Sequence, residues 1–371
     1  MRASFTLGRI LGIPIGVHSS WLVAFALIAW SLAAGYFPHQ YPGWTVAMYW
    51  LVALFTTVLF FASVVIHELG HSVVARREKV DVLSITLFIF GGLAQIAREP
   101  PTAGAEFRIA IAGPITSFGL AAVLTLLGSL GTAGSVSSAP FVYLGWINFL
   151  LATFNMIPGF PLDGGRVLRA ILWKFGGDFQ AATRRASVVG RLVAFGFIFL
   201  GMWQILAGNF LNGLWIAFIG WFLNNAAESS YLQVALRDLL AGVQARDVMT
   251  QDCATVPGDM SLSRLVHDYI LGTGRRCFLV GQGGSIQGLV TLHNIKGTPR
   301  EQWADVTASQ VMTPVESLQR ARVDEDVLSL LQRMEQADVN QMPVLDDGDV
   351  KGMVSREHLL RYIRTRSELG V

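Results

Sequence analysis

Apolar positions run in long, nearly uncharged stretches through the first 228 residues and then break into short alternating segments. A hydrocarbon core about 30 Å thick takes roughly twenty apolar residues per helix. The runs predict spans near 19–36, 46–75, 105–131, 141–173, 186–207 and 211–227. The second and fourth exceed what a crossing needs, and each ends in a polar-containing section. Between the second and third, "VLSITLFIFGGLAQI" (82–96) is β-branched and aromatic around Gly91 and Gly92, which predicts a hairpin. The expected fold is a polytopic α-helical membrane protein of about six transmembrane helices with a membrane-associated β-hairpin, followed by a soluble α/β part. The expected limits are 1–228 for the membrane domain, 229–244 for a linker and 245–371 for the soluble part.

The soluble part repeats. "ARDVMTQDCATV" starts at 245 and "ASQVMTPVESLQ" at 308, with Val248-Met249-Thr250 recurring as Val311-Met312-Thr313. Each opening leads into a helical stretch, an apolar strand, and a second strand that runs into a helix. A β-α-β-β-α period of about sixty residues marks a tandem of small domains, near 245–300 and 308–366.

Composition sharpens this division. Of 371 residues 52% are hydrophobic and 15% charged, the composition of a membrane protein. The net charge of +2 is spread without a dense basic tract, so no nucleic-acid partner is expected. Arg2, Arg9, Arg76, Arg77, Lys79, Arg98, Arg108, Lys174, Arg184, Arg185 and Arg191 flank alternate ends of the spans, whereas 37–45, 128–140 and 208–210 carry no Lys or Arg. With cations retained in the cytosol, six spans with both termini cytoplasmic satisfy this pattern. Cys253 and Cys277 show no metal or disulfide spacing and are expected reduced, buried and inert. The N-terminus lacks a small-residue cleavage site, so no removed signal peptide is expected.

"HELGH" closes the second run. His67 and His71, four apart on a helix, share a face and can hold one metal ion, while Glu68 projects about 100° away, toward a bound water. Ionised side chains in a bilayer are costly and mark functional cavities. Zinc enzymes usually take three protein ligands, and a scan for the third finds Glu68 and Asp163 as the acids inside apolar segments. Asp163 lies in "NMIPGFPLDGGRVLRA" (155–170), where Pro158 and Pro161 must interrupt the fourth span. A carboxylate at such a break can ligate a metal, and it can equally cap the helix restarting at Gly164.

HExxH in one span and N-x-x-P-x-x-P-L-D-G-G in a later one resemble the site-2 protease family of intramembrane zinc metalloproteases. The resemblance implies His67, His71 and Asp163 as zinc ligands and Glu68 as general base. It implies a substrate-positioning or oxyanion role for Asn155, against which stands a plain polar contact between helices. It also implies that the hairpin around Phe90, Gly91 and Gly92 pairs with an unwound substrate strand. "IAGPITSF" (111–118) resembles a family segment of the third span, and His18 in "GVHSSW" resembles an N-terminal one but is expected to be structural. The repeat resembles a pair of cystathionine-β-synthase (CBS) domains. That implies a cleft for ATP or another adenine nucleotide, with Thr291 and Ser355 at the hydroxyl positions, or a dimerisation or docking module. Asn294 and His358 stand where the resemblance expects Asp. The function implied is endoproteolysis of membrane-spanning proteins in a bacterial or archaeal plasma membrane, for example of transcription-factor or sigma-factor precursors. A CBS-gated transporter or channel is the alternative.

Overall fold

The computed structural model describes residues 4–369 apart from 90, 133, 251–253, 276, 283–284 and 347–348. Its chain divides into two compact units, Met1–Val234 and Ala235–Val371.

The first unit opens with a hairpin, β1 (Phe5–Ile10) and β2 (Ile13–Val17), turned at Leu11 and Gly12, both at positive φ. This hairpin has no counterpart among the expected elements. A register shift between Thr6 and Gly8 breaks the alternation of β1, and every residue of that strand is exposed, so no period of two marks it. Helix α1 (Ser20–Ser31) continues through a π turn at Leu32–Tyr36 into α2 (Phe37–Gln40). Helix α3 (Val46–Arg77) starts where the Thr45 side chain accepts the Met48 N–H. Its 32 residues span roughly 48 Å at 1.5 Å per residue, well beyond one hydrocarbon thickness. The expected hairpin follows as β3 (Val82–Phe88) and β4 (Gly91–Ile96). All four strands form one sheet in the order β1-β2-β3-β4, with β2 parallel to β3 and β4 at an edge.

The remaining helices are α4 (Ala103–Leu130), α5 (Ala139–Asn155), α6 (Asp163–Gly176), α7 (Phe179–Leu206) and α8 (Phe210–Leu239). Four helices among the described residues are long and apolar enough to cross a membrane: Ser20–Gln40, Val46–Arg77, Ala103–Leu130 and Phe179–Leu206. The expected six are not reached by that measure. The fourth expected span is two helices of 17 and 14 residues, because Pro158 and Pro161 have no N–H to continue a ladder. In α8, Asn212, Asn224 and Asn225 dilute the apolar run before the helix continues to Leu239. The turn between α5 and α6 is tight. A Cβ on Gly164 would stand 2.3 Å from Ile157 O, and one on Gly165 2.3 Å from Gly159 C, so the paired glycines let α6 start against the chain that precedes it.

Among the described residues the second unit holds two sheets. One orders Thr255–Val256, Cys277–Gln282, Ser285–Thr291 and Thr313–Pro314, and the other Asp349–Ser355, Gln341–Asp346 and Ala321–Arg322. The two repeats exchange their openings. Ala245, Val248 and Met249 pack in a core with Val327, Leu330, Met342 and Leu359 of the second repeat. Ala308, Val311 and Met312 pack in the other core with Val256, Leu262, Phe278 and Ile295 of the first. Thr250 N donates to Met353 O at 2.9 Å, which seals one of these crossings.

Candidate metal centre

Helix α3 sets His67 and His71 one turn apart, and the first residue of α6 brings Asp163 between them. His67 Nε2 lies 3.2 Å from Asp163 Oδ2, His71 Nε2 3.2 Å from Asp163 Oδ1, and the two Nε2 atoms 3.3 Å from each other. Ligand bonds of about 2.05 Å at tetrahedral angles give donor separations of roughly 3.3 Å, the spacing of these atoms. Both imidazoles are buried and the carboxylate is 15% exposed, so the little exposure the trio has lies at Asp163. Two imidazoles and a carboxylate are the donor set of a catalytic zinc site, which leaves a fourth position for water or substrate.

Room for the ion comes from a missing side chain. A Cβ on Gly113 of α4 would sit 2.1 Å from His71 Nε2 and 2.7 Å from His67 Nε2, in the space that a zinc ion bonded to them needs. The donors, their spacing and this cradle all fit zinc.

Helix α4 also orients the imidazoles. His71 Nδ1 lies 2.7 Å from Ile109 O. A carbonyl can only accept, so Nδ1 carries the hydrogen, which in the neutral ring leaves the Nε2 lone pair available to a metal. His67 Nδ1 lies 2.9 Å from Ser117 Oγ, inside a fully enclosed contact. Sequence reasoning assigned no role to Ile109, Gly113 or Ser117. The available signal was their spacing of four and four in one helix, which puts them on a common face. Losing such a support typically weakens metal binding about 10- to 100-fold. Ser117→Ala is therefore expected to lower zinc affinity by about that factor, measured by chelator competition.

Glu68, next to His67, faces the sheet. A Cβ on Gly92 would stand 2.6 Å from Glu68 Cγ and 3.1 Å from its Oε1, so β4 passes directly over the glutamate. Gly91, at φ 128°, opens that strand. Phe90 lies outside the described residues. Asn155 ends α5, half-buried, and makes no hydrogen bond with His67, His71 or Asp163. His18 serves the sheet: its N–H donates to Leu87 O at 2.8 Å and its Nδ1 lies 2.8 Å from Ser20 Oγ.

The expectation that Glu68 and Asp163 are the acids inside apolar segments is corrected by Glu106. It sits in the first turn of α4 at 0% exposure, ion-paired with Arg166 and Arg169 of α6. Its position at the polar end of the run hid it, because Arg98, Glu99 and Arg108 nearby read as an aqueous boundary.

In the second unit Thr291 and Ser355 line a cleft of about 690 Å³ with Asn294, and Ser355 also borders one of about 340 Å³ with Cys277 and His358. Thr291 Oγ1 already donates to Asn294 Oδ1 at 2.6 Å, and Ser355 Oγ accepts the His358 N–H at 3.2 Å. Both hydroxyls thus serve helix starts. Cys277 is half-buried rather than buried, since it begins a strand at the cleft rim. Cys253 lies outside the described residues.

Peptidase family M50 matches residues 55–134 and 131–200, and the CBS domain matches 245–298 and 308–365. A Mycobacterium tuberculosis protein named as the zinc metalloprotease Rip3 is 37% identical over 369 residues, 98% of this chain and 93% of its own. The zinc metalloprotease MJ0392 of Methanocaldococcus jannaschii is 30% identical over 367 residues, 97% of this chain and 96% of its own. A solved site-2 protease from Methanocaldococcus jannaschii aligns with 61% of this chain and 94% of its own at 30% identity, with a TM-score of 0.44. Similarity of this extent, running through both halves of the sequence, makes the chain a member of peptidase family M50, a zinc metalloprotease of the site-2 type that carries a tandem pair of CBS domains.

Proposed function

We propose that this membrane metalloprotease cuts peptide bonds within or next to transmembrane segments of other proteins, with His67, His71 and Asp163 holding one zinc ion and Glu68 as general base. The observation that carries this reading is the trio of donors separated by 3.2 to 3.3 Å beside the space left by Gly113. Bound zinc would supply Lewis acidity, lowering the pKa of a water toward about 7 and polarising the scissile carbonyl. Glu68 takes the proton of the attacking water and delivers it to the leaving amine. Asn155 steadies the substrate carbonyl. The β4 edge offers unpaired backbone groups beside Glu68, so an unwound substrate segment can add as a fifth strand. A peptide bond in an intact helix is shielded by its own hydrogen bonds, so helix-breaking residues in the substrate favour cutting.

The reading places the protein as a multi-pass protein of a bacterial or archaeal plasma membrane, with six crossings and both termini cytoplasmic. Residues 1–228 form its protease domain, and 245–371 its CBS pair beyond a 229–244 linker. Family precedent favours membrane-tethered precursors of transcription or sigma factors as substrates. A transporter would spread ionisable side chains along several helices. Among the described residues, those buried in the first unit gather at the His67 centre and the Glu106 cluster. The test is incubation of the purified protein with candidate membrane-spanning substrates. Cleavage is expected to stop with a zinc chelator and to return with added zinc, and cleavage indifferent to chelator overturns the assignment.

The CBS pair takes an adenine nucleotide in the larger cleft, whose volume of about 690 Å³ suits such a ligand. Calorimetric titration of the full chain with ATP or AMP is expected to give saturable heat. No heat at millimolar nucleotide leaves dimerisation or substrate docking as the role of the pair.

A further inference from the structure

Helices α4 and α6 meet a second time away from the donor trio. Glu106 Oε1 accepts Arg166 Nε at 3.1 Å and its Oε2 accepts Arg166 Nη2 at 3.4 Å, while Arg169 Nη2 donates to the same Oε1 as Arg166 Nε. Arg169 lies between the rings of Phe160 and Phe179, 5.2 and 4.7 Å from their centroids, and reaches Glu99 Oε2 at 3.5 Å. On α4, Glu106, Ile109, Gly113 and Ser117 follow one another at spacings of three and four; on α6, Asp163, Arg166 and Arg169 follow at three. Each helix thus carries part of the metal centre and part of the ion cluster along one face.

A buried ion cluster adds little net stability over apolar packing, because the desolvation of its charges offsets their attraction. What it adds is direction. A guanidinium fork on a carboxylate fixes rotation and register, which non-directional apolar contacts leave looser. Asp163 needs that fixing, since it begins a helix straight after a proline-interrupted turn and must aim both oxygens between two imidazoles of another helix.

We propose that Glu106 is a positioning residue: by gripping Arg166 and Arg169 it locks α6 against α4 and holds Asp163 in the metal centre. This rests on the reading of His67, His71 and Asp163 as zinc ligands.

Zinc affinity of the full-length protein in detergent, by competition with a chromophoric chelator, and the visible spectrum of the cobalt-substituted protein test it. Glu106→Gln is expected to weaken zinc binding about 10- to 100-fold and to shift the cobalt bands toward those of Asp163→Asn. Glu106→Asp, which keeps the charge, is expected to recover part of both. Leu144→Ala opens a cavity at a fully buried position of α5 and serves as a stability control; it is expected to keep the parental affinity and spectrum. Should Glu106→Gln fail to fold, Arg166→Lys keeps the charge but loses the fork, and the same two changes are expected. Unchanged affinity and spectrum in a folded Glu106→Gln or Arg166→Lys protein overturn the proposal, as does an equal loss in Leu144→Ala. Unchanged zinc affinity in Asp163→Asn would instead remove the ligand assignment on which it rests.

Discussion

Glu68→Gln is expected to keep stoichiometric zinc and lose hydrolysis by about 10²- to 10⁴-fold, the range for removing a general base. That corresponds to about 3–5 kcal/mol of transition-state stabilisation. The separation follows from the geometry. Glu68 is one residue from His67 and lies against Gly92 of β4, and its carboxylate is not one of the three clustered donors. The amide of Gln keeps the shape of that contact but cannot take a proton from water. Metal analysis and product formation from one membrane-spanning substrate check both halves of this expectation. Turnover at the parental rate would falsify the assigned base, and loss of zinc would make Glu68 part of the donor set.

Gly113→Ala is expected to do the opposite, emptying the centre without removing a donor. Elsewhere in a helix Ala is favoured over Gly by about 0.8–1 kcal/mol, but here Pro114 follows, and its ring crowds a Cβ on the preceding residue, so the substitution strains α4 locally as well. The added methyl stands 2.1 Å from His71 Nε2, which forces the imidazole aside or fills the place of the ion. Either outcome removes zinc. The purified variant should still fold, melting somewhat below the metal-free parent, hold well under one zinc per chain, and show hydrolysis reduced in proportion to its zinc content. A Gly113→Ala protein with a full zinc complement and normal turnover would place the ion elsewhere than in this cradle. Comparison with the metal-free parent matters, because bound zinc itself stabilises the fold that binds it.

Much of the centre is legible in the chain because its signals are local. A histidine pair four apart after an uncharged run reads as a metal pair through helix geometry alone, and Pro158 and Pro161 announce a broken span with Asp163 at its restart. The hairpin at 82–96 is legible for the same reason, through its β-branched residues and its glycine pair, although that pair opens the second strand instead of forming the expected turn. Where expectation and structure part, the deciding contacts are between elements. Glu106 reads as a boundary acid until α6 is packed on α4 and brings Arg166 and Arg169 to it. Gly113 and Ser117 read as small residues of a membrane helix until His67 and His71 arrive from α3. The β1 hairpin carries too little alternation to be seen, and its pairing with the remote β3 goes through β2.

The sequence by itself determined the two-part plan, the zinc chemistry, the interrupted span and the tandem repeat, because each is written in neighbouring residues through periodicity, proline chemistry or helix spacing. Only the tertiary structure decided which helix turns the imidazoles, which glycine leaves room for the ion, and that each repeat lends its opening segment to the core of the other. Those choices are made by packing between segments far apart in the chain. There burial and hydrogen-bond satisfaction depend on the partner surface, and no local pattern encodes it.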